Sequence, residues 1–200
     1  MGKTILFTGD SISDGNRYKE EKDRWDLNHQ IGHSYVYVID ALMGSKYPER
    51  EIEFLNRGIS GNRVIELYGR IHEDMIDLKP DVVSILVGVN DGPQAEHGHH
   101  ATGDAYGKIY RMMLAELKEA NPEVKIVLME PFLGKNGPVY DKDYKTWSEC
   151  IGSYQKEVRK IAEEYGAVFV PLQEVFDKAC EKRDSSYWIW DGVHPTEDMG

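Results

Sequence analysis

Short apolar runs alternate with longer amphipathic stretches along the 200 residues of this chain. The apolar runs are rich in Val, Ile, Leu and Phe, and each is about as long as a strand buried inside a sheet. The predicted strands cover residues 3–8, 51–56, 81–87, 124–130 and 167–171. A sheet with these five strands is the first constraint on the fold.

The stretches between the predicted strands carry apolar residues at helical spacing. In residues 33–46, for example, Val36, Ile39 and Leu42 recur at intervals that place them on one face of a helix. The predicted helices cover residues 33–46, 62–78, 104–120 and 146–165. This alternation predicts an α/β fold in which one domain, residues 1–200, winds βα units into a parallel sheet covered on both faces.

Glycine and small polar residues follow the predicted strands. In an open parallel sheet the ligand site lies beyond the carboxyl ends of the strands, so these segments are the ones that most directly concern function. The segments are GDS at 9–11, GISGN at 58–62 and GVND at 88–91, joined by DGVH at 191–194 near the end of the sequence.

Together the four segments contain the groups that a serine nucleophile needs to hydrolyse an ester. Ser11 is predicted to attack the carbonyl carbon, His194 to take the Ser11 proton, and Asp191 to orient the imidazole. The backbone N–H groups of Ser11 and Gly61 and the side-chain amide of Asn90 are predicted to bind the oxyanion that develops.

Each of these residues also has a simpler interpretation. Ser11 alone is compatible with a helix cap after a strand. Ser60 is a rival nucleophile, although the sequence has no Gly-x-Ser-x-Gly elbow. Gly61 and Asn90 are types that favour tight turns, which agrees with the donor role because a tight turn exposes backbone donors.

The histidine-rich stretch EHGHH at 96–100 suggests a metal site, since histidines one residue apart can share an ion. It lacks a carboxylate or thiolate at a fixed spacing, however, and is predicted to be a polar surface loop. Asp191 and His194 could also be ligands, but a hydrolytic metal site usually has a third fixed ligand. No metal site is therefore predicted.

Charge and cysteine usage exclude several classes of partner. A formal net charge of -11 disfavours nucleic acid and an anionic membrane surface as partners.

The cysteines and the start of the sequence concern location. Cys150 and Cys180 have no zinc-type or CxxC spacing, and no secretory signal precedes the first predicted strand, so a cytoplasmic location is expected. No apolar run approaches the roughly 18 residues that cross a bilayer.

In their order along the chain, the four segments resemble the four sequence blocks of the SGNH hydrolases, also called the GDSL esterase/lipase family. One block alone is weak evidence, whereas four in order are specific. The resemblance implies a flavodoxin-like three-layer α/β/α sandwich, an acyl-enzyme mechanism with the roles given above, and no cofactor.

Within that family, the phrases NRGISGNRV, PDVVSILVGVND and WDGVHPT are similar to intracellular acetylxylan esterases and related sugar acetylesterases. This similarity implies an acetylated oligosaccharide as substrate. The residues expected to contact it are Asp10, Asn62, Arg63 and Trp190. Trp190 precedes Asp191 and is expected to line a small acetyl pocket, whereas Arg63 replaces a small polar residue of the branch, so the sugar-facing surface is expected to differ.

Other functions remain open at this point. A thioesterase or lysophospholipase would share the chemistry, and a flavodoxin-like module could bind phosphate in its TGDSIS loop. The pair of Asp191 and His194 favours the esterase, because phosphate binding in that loop does not require a carboxylate and an imidazole next to each other.

The resemblance is also compatible with a homo-oligomer. It implies a last helix beyond Gly200, so either the sequence is shortened there or that face is open.

Overall fold

Five parallel strands form one sheet in the computed structural model, which describes residues 2–19, 30–93 and 100–196. The strands are β1 (Thr4–Gly9), β2 (Glu53–Asn56), β3 (Val82–Leu86), β4 (Lys125–Met129) and β5 (Val168–Val170). Each overlaps a strand predicted from the sequence, and the predicted parallel α/β sheet is confirmed.

The order of the strands across the sheet is β2, β1, β3, β4, β5. The chain runs outward from β1 to β2 and then crosses back over β1 to begin β3. The winding direction therefore reverses next to β1, and open parallel sheets bind ligands beyond the carboxyl ends of the strands at such a reversal. The carboxyl ends of β1, β2 and β3 are adjacent, so the segments that follow them meet at one edge.

The helices alternate with the strands as the sequence predicts, with three additions: a short one directly after β1 and two near residue 180. They are α1 (Ser11–Asp14), α2 (Tyr35–Lys46), α3 (Val64–Gly69), α4 (Gly103–Ala120), α5 (Gly137–Tyr165), α6 (Leu172–Cys180) and α7 (Ser185–Trp188). A short π-helical turn, His72–Ile76, follows α3. Helix α6 was not predicted, although Leu172, Val175, Phe176 and Ala179 recur along it at helical spacing; of its residues only Phe176 is buried.

Helix α5 begins at Gly137, well before the predicted helix at 146–165. Asp143 interrupts it with φ at -162°, and the Asp143 carboxylate accepts a hydrogen bond from Thr146 N at 3.2 Å, which caps a fresh helical turn. The predicted range therefore corresponds to the part of α5 after this kink. The part before the kink is a separate short helix, so its residues do not continue the helical spacing of the part after the kink.

Helices cover both faces of the sheet. α3, α4 and α5 pack side by side, and Val64, Tyr106 and Ile151 bury their side chains in the larger core. On the other face, Val36 of α2 packs with Phe7 in a second, smaller core. The result is the three-layer α/β/α sandwich that the resemblance implies.

Leu42 is a correction to the prediction for α2. It was expected on the buried face, but 65% of it is exposed, whereas Val36 is fully buried. Apolar residues occur on all sides of α2, so their spacing alone does not identify the side that faces the sheet.

Within the described ranges, no helix is long and apolar enough to cross a bilayer. The single domain over residues 1–200, the cytoplasmic location and the homo-oligomer stay predictions.

Candidate active site

Ser11 is the first residue of α1, which follows β1 almost directly. Asp10 accepts a hydrogen bond from Ile12 N at 3.0 Å and so caps this helix. Gly9 lies so close to β3 that a Cβ atom there would be 2.1 Å from the Leu86 carbonyl oxygen. A residue without Cβ is therefore required at the end of β1, and Ser11 is fixed at the carboxyl edge of the sheet.

Asp191 and His194 share one short turn that the Asp191 carboxylate organises. Its Oδ1 accepts hydrogen bonds from the backbone N–H groups of Val193, at 3.0 Å, and His194, at 2.8 Å. Its Oδ2 lies 2.7 Å from Nδ1 of His194. Because a carboxylate only accepts hydrogen bonds, Nδ1 carries the proton and Nε2 of His194 is left as an acceptor.

The turn places this acceptor against Ser11. Nε2 of His194 lies 2.8 Å from Oγ of Ser11, although 183 residues separate the two in the sequence. The Ser11 hydroxyl therefore donates to His194, which in turn donates to Asp191. This chain of hydrogen bonds is the arrangement that the predicted mechanism requires, and the catalytic role of each residue stays a prediction.

A neighbouring loop after β4 holds the turn in place. The Gly134 N–H donates to the Gly192 carbonyl at 2.8 Å, and Asn136 Nδ2 donates to the Ile189 carbonyl at 2.7 Å. The Ser185 hydroxyl donates to Asn136 Oδ1 at 2.6 Å. These bonds hold the residues before and after Asp191 against the loop that follows β4.

The surroundings of Asp191 keep it ionised. Partial burial acts to raise its pKa, but the N–H donors of His194 and Val193 and the His194 ring together outweigh burial and lower the pKa below its ordinary value. The Asp191 carboxylate is therefore negative at neutral pH, and it can stabilise a positive charge on the imidazole.

The segment from Arg57 to Val64, which follows β2, offers one backbone donor. Seven of its N–H groups have acceptors, namely those of Arg57, Gly58, Ile59, Ser60, Asn62, Arg63 and Val64. No described residue accepts a hydrogen bond from the Gly61 N–H. Gly61 has φ at +83°, in the left-handed region that glycine adopts without strain. Its N–H is thus available to a ligand.

Two further donors belong to the neighbouring segments. Ser11 is the first residue of α1, and a helix leaves the N–H groups of its first turn without an internal acceptor. Asn90 lies in the turn after β3, and its Nδ2 donates a hydrogen bond to the Asn62 carbonyl at 3.1 Å. This bond ties the turn after β3 to the segment that carries Gly61.

Two carboxyl groups are buried beside these donors. Asp10 is 1% exposed and Asp91 is 4% exposed. Burial raises the pKa of each to about 7, although the Ile12 N–H opposes this shift at Asp10 and the Val64 N–H opposes it at Asp91. The negative charges of Glu66 and Asp10 further raise the pKa of Asp91.

The raised pKa of Asp10 predicts a pH-dependent stability. The folded state keeps a proton on Asp10 where the unfolded state has lost it, so this stabilisation is present below about pH 4 and disappears as the pH rises through about 7. In Asp10→Asn the amide oxygen still caps α1 and carries no titrating proton. The parent should therefore lose of the order of 2 kcal/mol more unfolding free energy between pH 5 and pH 8 than the variant does.

Urea unfolding at the two pH values measures this difference. The same loss of unfolding free energy in both proteins would show that Asp10 does not hold a proton in the folded state.

The predicted substrate contacts lie in different surroundings. Asp10 has almost no exposed surface, and its carboxylate serves as the cap of α1. Asn62 is half-buried, and its Oδ1 accepts a hydrogen bond from Arg70 Nε at 2.9 Å. Arg63 is exposed and forms an ion pair with Glu66 at the start of α3.

Trp190 is exposed, with 62% of its surface accessible. Its indole is nearly parallel to the His194 ring, with 5.8 Å between ring centroids and 19° between planes. The Trp190 N–H of the backbone donates to the His194 carbonyl at 3.1 Å. The solvent-exposed indole ring of Trp190 therefore lies beside the imidazole of His194.

The described part of the chain contains no cluster of three or more His, Cys, Asp or Glu residues that could hold a metal ion. Of the stretch 96–100, residues 96–99 lie outside the described residues. Asp191 and His194 are joined to each other and to Ser11 rather than to a third ligand.

A family model described as the GDSL-like lipase/acylhydrolase family matches residues 7–199 of this sequence. The chain belongs to this family. The match includes all four segments on which the resemblance rests, and that resemblance is confirmed. As a member of the GDSL-like family, the chain is a carboxylic ester hydrolase.

Two known proteins show how similar the chain is to other members. It is 34% identical to the acetylxylan esterase of Geobacillus stearothermophilus over an alignment of 202 positions, which covers 98% of this chain and 87% of that protein. The crystal structure of that esterase, Axe2, matches with a TM-score of 0.82. A protein described as a GDSL-like lipase from Parabacteroides merdae matches with a TM-score of 0.91 and 36% identity, covering 98% of this chain and 89% of the other.

Some residues that hold the site together were not singled out from the sequence. Asp14 binds the Ser60 N–H, and Asn136 and Ser185 hold the Asp191 turn. For Asp14 a signal existed, since it is a second acidic residue in the segment that carries Ser11. Asn136 and Ser185 carry no such signal, because their partners are distant in the sequence.

Proposed function

We propose that the chain removes acetyl groups from an acetylated carbohydrate through a covalent acetyl-enzyme on Ser11. The observation that carries the proposal is the hydrogen-bond chain from Ser11 Oγ to His194 Nε2, at 2.8 Å, and from His194 Nδ1 to Asp191 Oδ2, at 2.7 Å. The similarity to an acetylxylan esterase over nearly the whole chain supports the acetyl group and the carbohydrate.

In the first half of the reaction, Ser11 Oγ attacks the acetyl carbonyl carbon as its proton passes to His194 Nε2. The Asp191 carboxylate stabilises the imidazolium that forms. The tetrahedral intermediate then collapses, the C–O bond to the sugar breaks, and the sugar oxygen takes the proton from His194. The products of this half are the free sugar hydroxyl and an acetyl ester of Ser11.

In the second half, His194 removes a proton from a water molecule that attacks the acetyl ester. A second tetrahedral intermediate collapses, acetate leaves, and Ser11 Oγ recovers its proton from His194. In both halves, negative charge develops on the former carbonyl oxygen. We assign the stabilisation of this oxyanion to the N–H groups of Ser11 and Gly61 and to the Asn90 amide.

Trp190 is assigned to the sugar rather than to the chemical step, because its open ring beside His194 can stack on a pyranose face. Trp190→Ala should raise KM for an acetylated xylo-oligosaccharide about threefold to tenfold, since a lost aromatic contact of this kind costs about 1 kcal/mol. Activity on nitrophenyl acetate, which has no sugar, should change much less. Steady-state kinetics on the two substrates separates these effects, and an equal change on both would place Trp190 outside the sugar site.

A release assay on three substrates tests the function. Acetylated xylo-oligosaccharides, a palmitoyl ester and an acyl thioester are compared at equal concentration, with Ser11→Ala as the blank. Preference for the oligosaccharide is expected. Preference for the palmitoyl ester or the thioester would instead indicate a lysophospholipase or thioesterase, and no turnover of any ester together with phosphate binding would indicate a phosphate-binding module.

A further inference from the structure

Two buried carboxylates hold the segment that carries Gly61, one on each side of it. Asp14 Oδ2 accepts a hydrogen bond from the Ser60 N–H at 2.9 Å, immediately before Gly61. Both oxygens of Asp91 lie close to the Val64 N–H, at 3.1 and 3.3 Å, a few residues after Gly61. The Gly61 N–H is thus the unused donor between two anchored ones.

Each carboxylate also belongs to a segment that carries another group of the proposed reaction. Asp14 lies in α1, the same helical turn as Ser11. Asp91 directly follows Asn90 in the turn after β3. The nucleophile and the two donors come from three different connections, and these two side chains are direct links between those connections.

Asp14 is 2% exposed, and both of its oxygens are used. Oδ2 accepts from Lys19 Nζ at 2.8 Å as well as from the Ser60 N–H, while Oδ1 accepts from Arg17 N at 3.2 Å. Every partner is a donor, so an asparagine in this position must turn its NH2 group toward one of them. Asp91 differs, because its two oxygens share the Val64 N–H and the single oxygen of an asparagine can replace them.

We propose that Asp14 and Asp91 are positioning residues that fix the Gly61 N–H and the Asn90 amide relative to Ser11 Oγ. This inference rests on the proposed function. Neither side chain touches the substrate or takes part in the proton transfers of the reaction; each holds a donor where the oxyanion forms. Since a donor must lie within hydrogen-bond distance of the transition-state oxygen, loosening this segment weakens catalysis more than it weakens substrate binding.

The test compares kcat and KM for nitrophenyl acetate in four variants. Asp14→Asn and Asp91→Ala should each lower kcat about tenfold to a hundredfold with little change in KM, because small displacements of catalytic groups have effects of this size. Asp91→Asn should recover most of the loss seen in Asp91→Ala. Asp81→Asn is the matched control: Asp81 also binds a backbone N–H, that of Thr4 at 2.9 Å, and a lysine, Lys3, but at the opposite edge of the sheet.

A double-mutant cycle adds a readout that a general loss of stability would not change. If Asp14 acts through the oxyanion donors, Asp14→Asn combined with Asn90→Ala should lower kcat by clearly less than the product of the two single effects. The rate at which a serine-directed phosphonate labels Ser11 should fall in parallel with kcat, since that adduct carries an oxygen in the oxyanion position. Urea unfolding verifies that each variant is folded.

The inference is overturned if kcat of Asp14→Asn and of Asp91→Ala stays within about threefold of the parent, or if their losses match that of Asp81→Asn. A change confined to KM, or fully multiplicative effects in the cycle, would also overturn it. If Asp14→Asn does not fold, the two Asp91 variants decide the question. Full turnover by Ser11→Ala, measured in parallel, would instead contradict the proposed function itself.

Discussion

Ser11→Ala is expected to lower kcat for nitrophenyl acetate about 10⁴-fold to 10⁶-fold, which is the range for loss of the nucleophile in serine hydrolases. The variant keeps the backbone N–H of residue 11, and Asp10 still caps α1, so the fold and the oxyanion donors are preserved. Only the oxygen that accepts the acetyl group is lost. Stopped-flow measurement should show no burst of nitrophenol, because no acetyl-enzyme forms.

Ser60→Ala is the matched control for this experiment. Ser60 is the rival nucleophile of the sequence analysis, it is exposed, and its contact with Asp14 uses the backbone N–H, which alanine retains. The control should therefore behave like the parent. Persistent turnover in Ser11→Ala, or loss of turnover in Ser60→Ala alone, would move the nucleophile to another residue.

Asp191→Asn is expected to lower kcat about 10⁴-fold at neutral pH with a small effect on KM. The backbone N–H groups of Val193 and His194 hold one oxygen of residue 191, so the asparagine must keep its carbonyl oxygen there and direct its NH2 group at the imidazole. Nδ1 of His194 then has to accept, which moves the ring proton to Nε2. In that tautomer His194 has no lone pair for the Ser11 proton.

Asp184→Asn provides the comparison for Asp191→Asn. Asp184 also accepts a nearby backbone N–H, that of Ser186 at 2.9 Å, and asparagine caps helices as well as aspartate does. Its kcat should stay near that of the parent. Comparable activity of Asp191→Asn and Asp184→Asn across neutral pH would mean that Asp191 does not set the tautomer of His194.

The sequence predicts the strands well because a strand buried on both faces leaves a continuous apolar signal. All five predicted strands overlap observed ones. The segments after β1, β2 and β3 could be grouped for a general reason, since parallel strands that neighbour each other bring their carboxyl ends together. The pairing of Ser11 with His194 had no such general basis and depended on chemistry and resemblance.

What the sequence could not predict depends on contacts between distant residues. Leu42 has the spacing of a buried residue, yet it faces solvent because α2 has apolar residues all around. The sequence also did not predict that Asp10 is buried and accepts a hydrogen bond from Ile12 N, whereas its predicted contact with the substrate stays a prediction. Helix α6 has apolar residues at helical spacing, but with 9 residues it is shorter than the stretch of about 11 or more over which such a period is normally recognised.

The separation of Ser11 and His194 in the sequence bears on how this protein acquires activity. The sheet is complete once β5, ending at Val170, has paired with β4, whereas the imidazole arrives only when residues 185–196 dock on the loop around Asn136. A chain that lacks residues 185–196 still has all five strands, but it lacks the imidazole. Nascent protein on the ribosome would be inert toward esters until that final segment has emerged and settled.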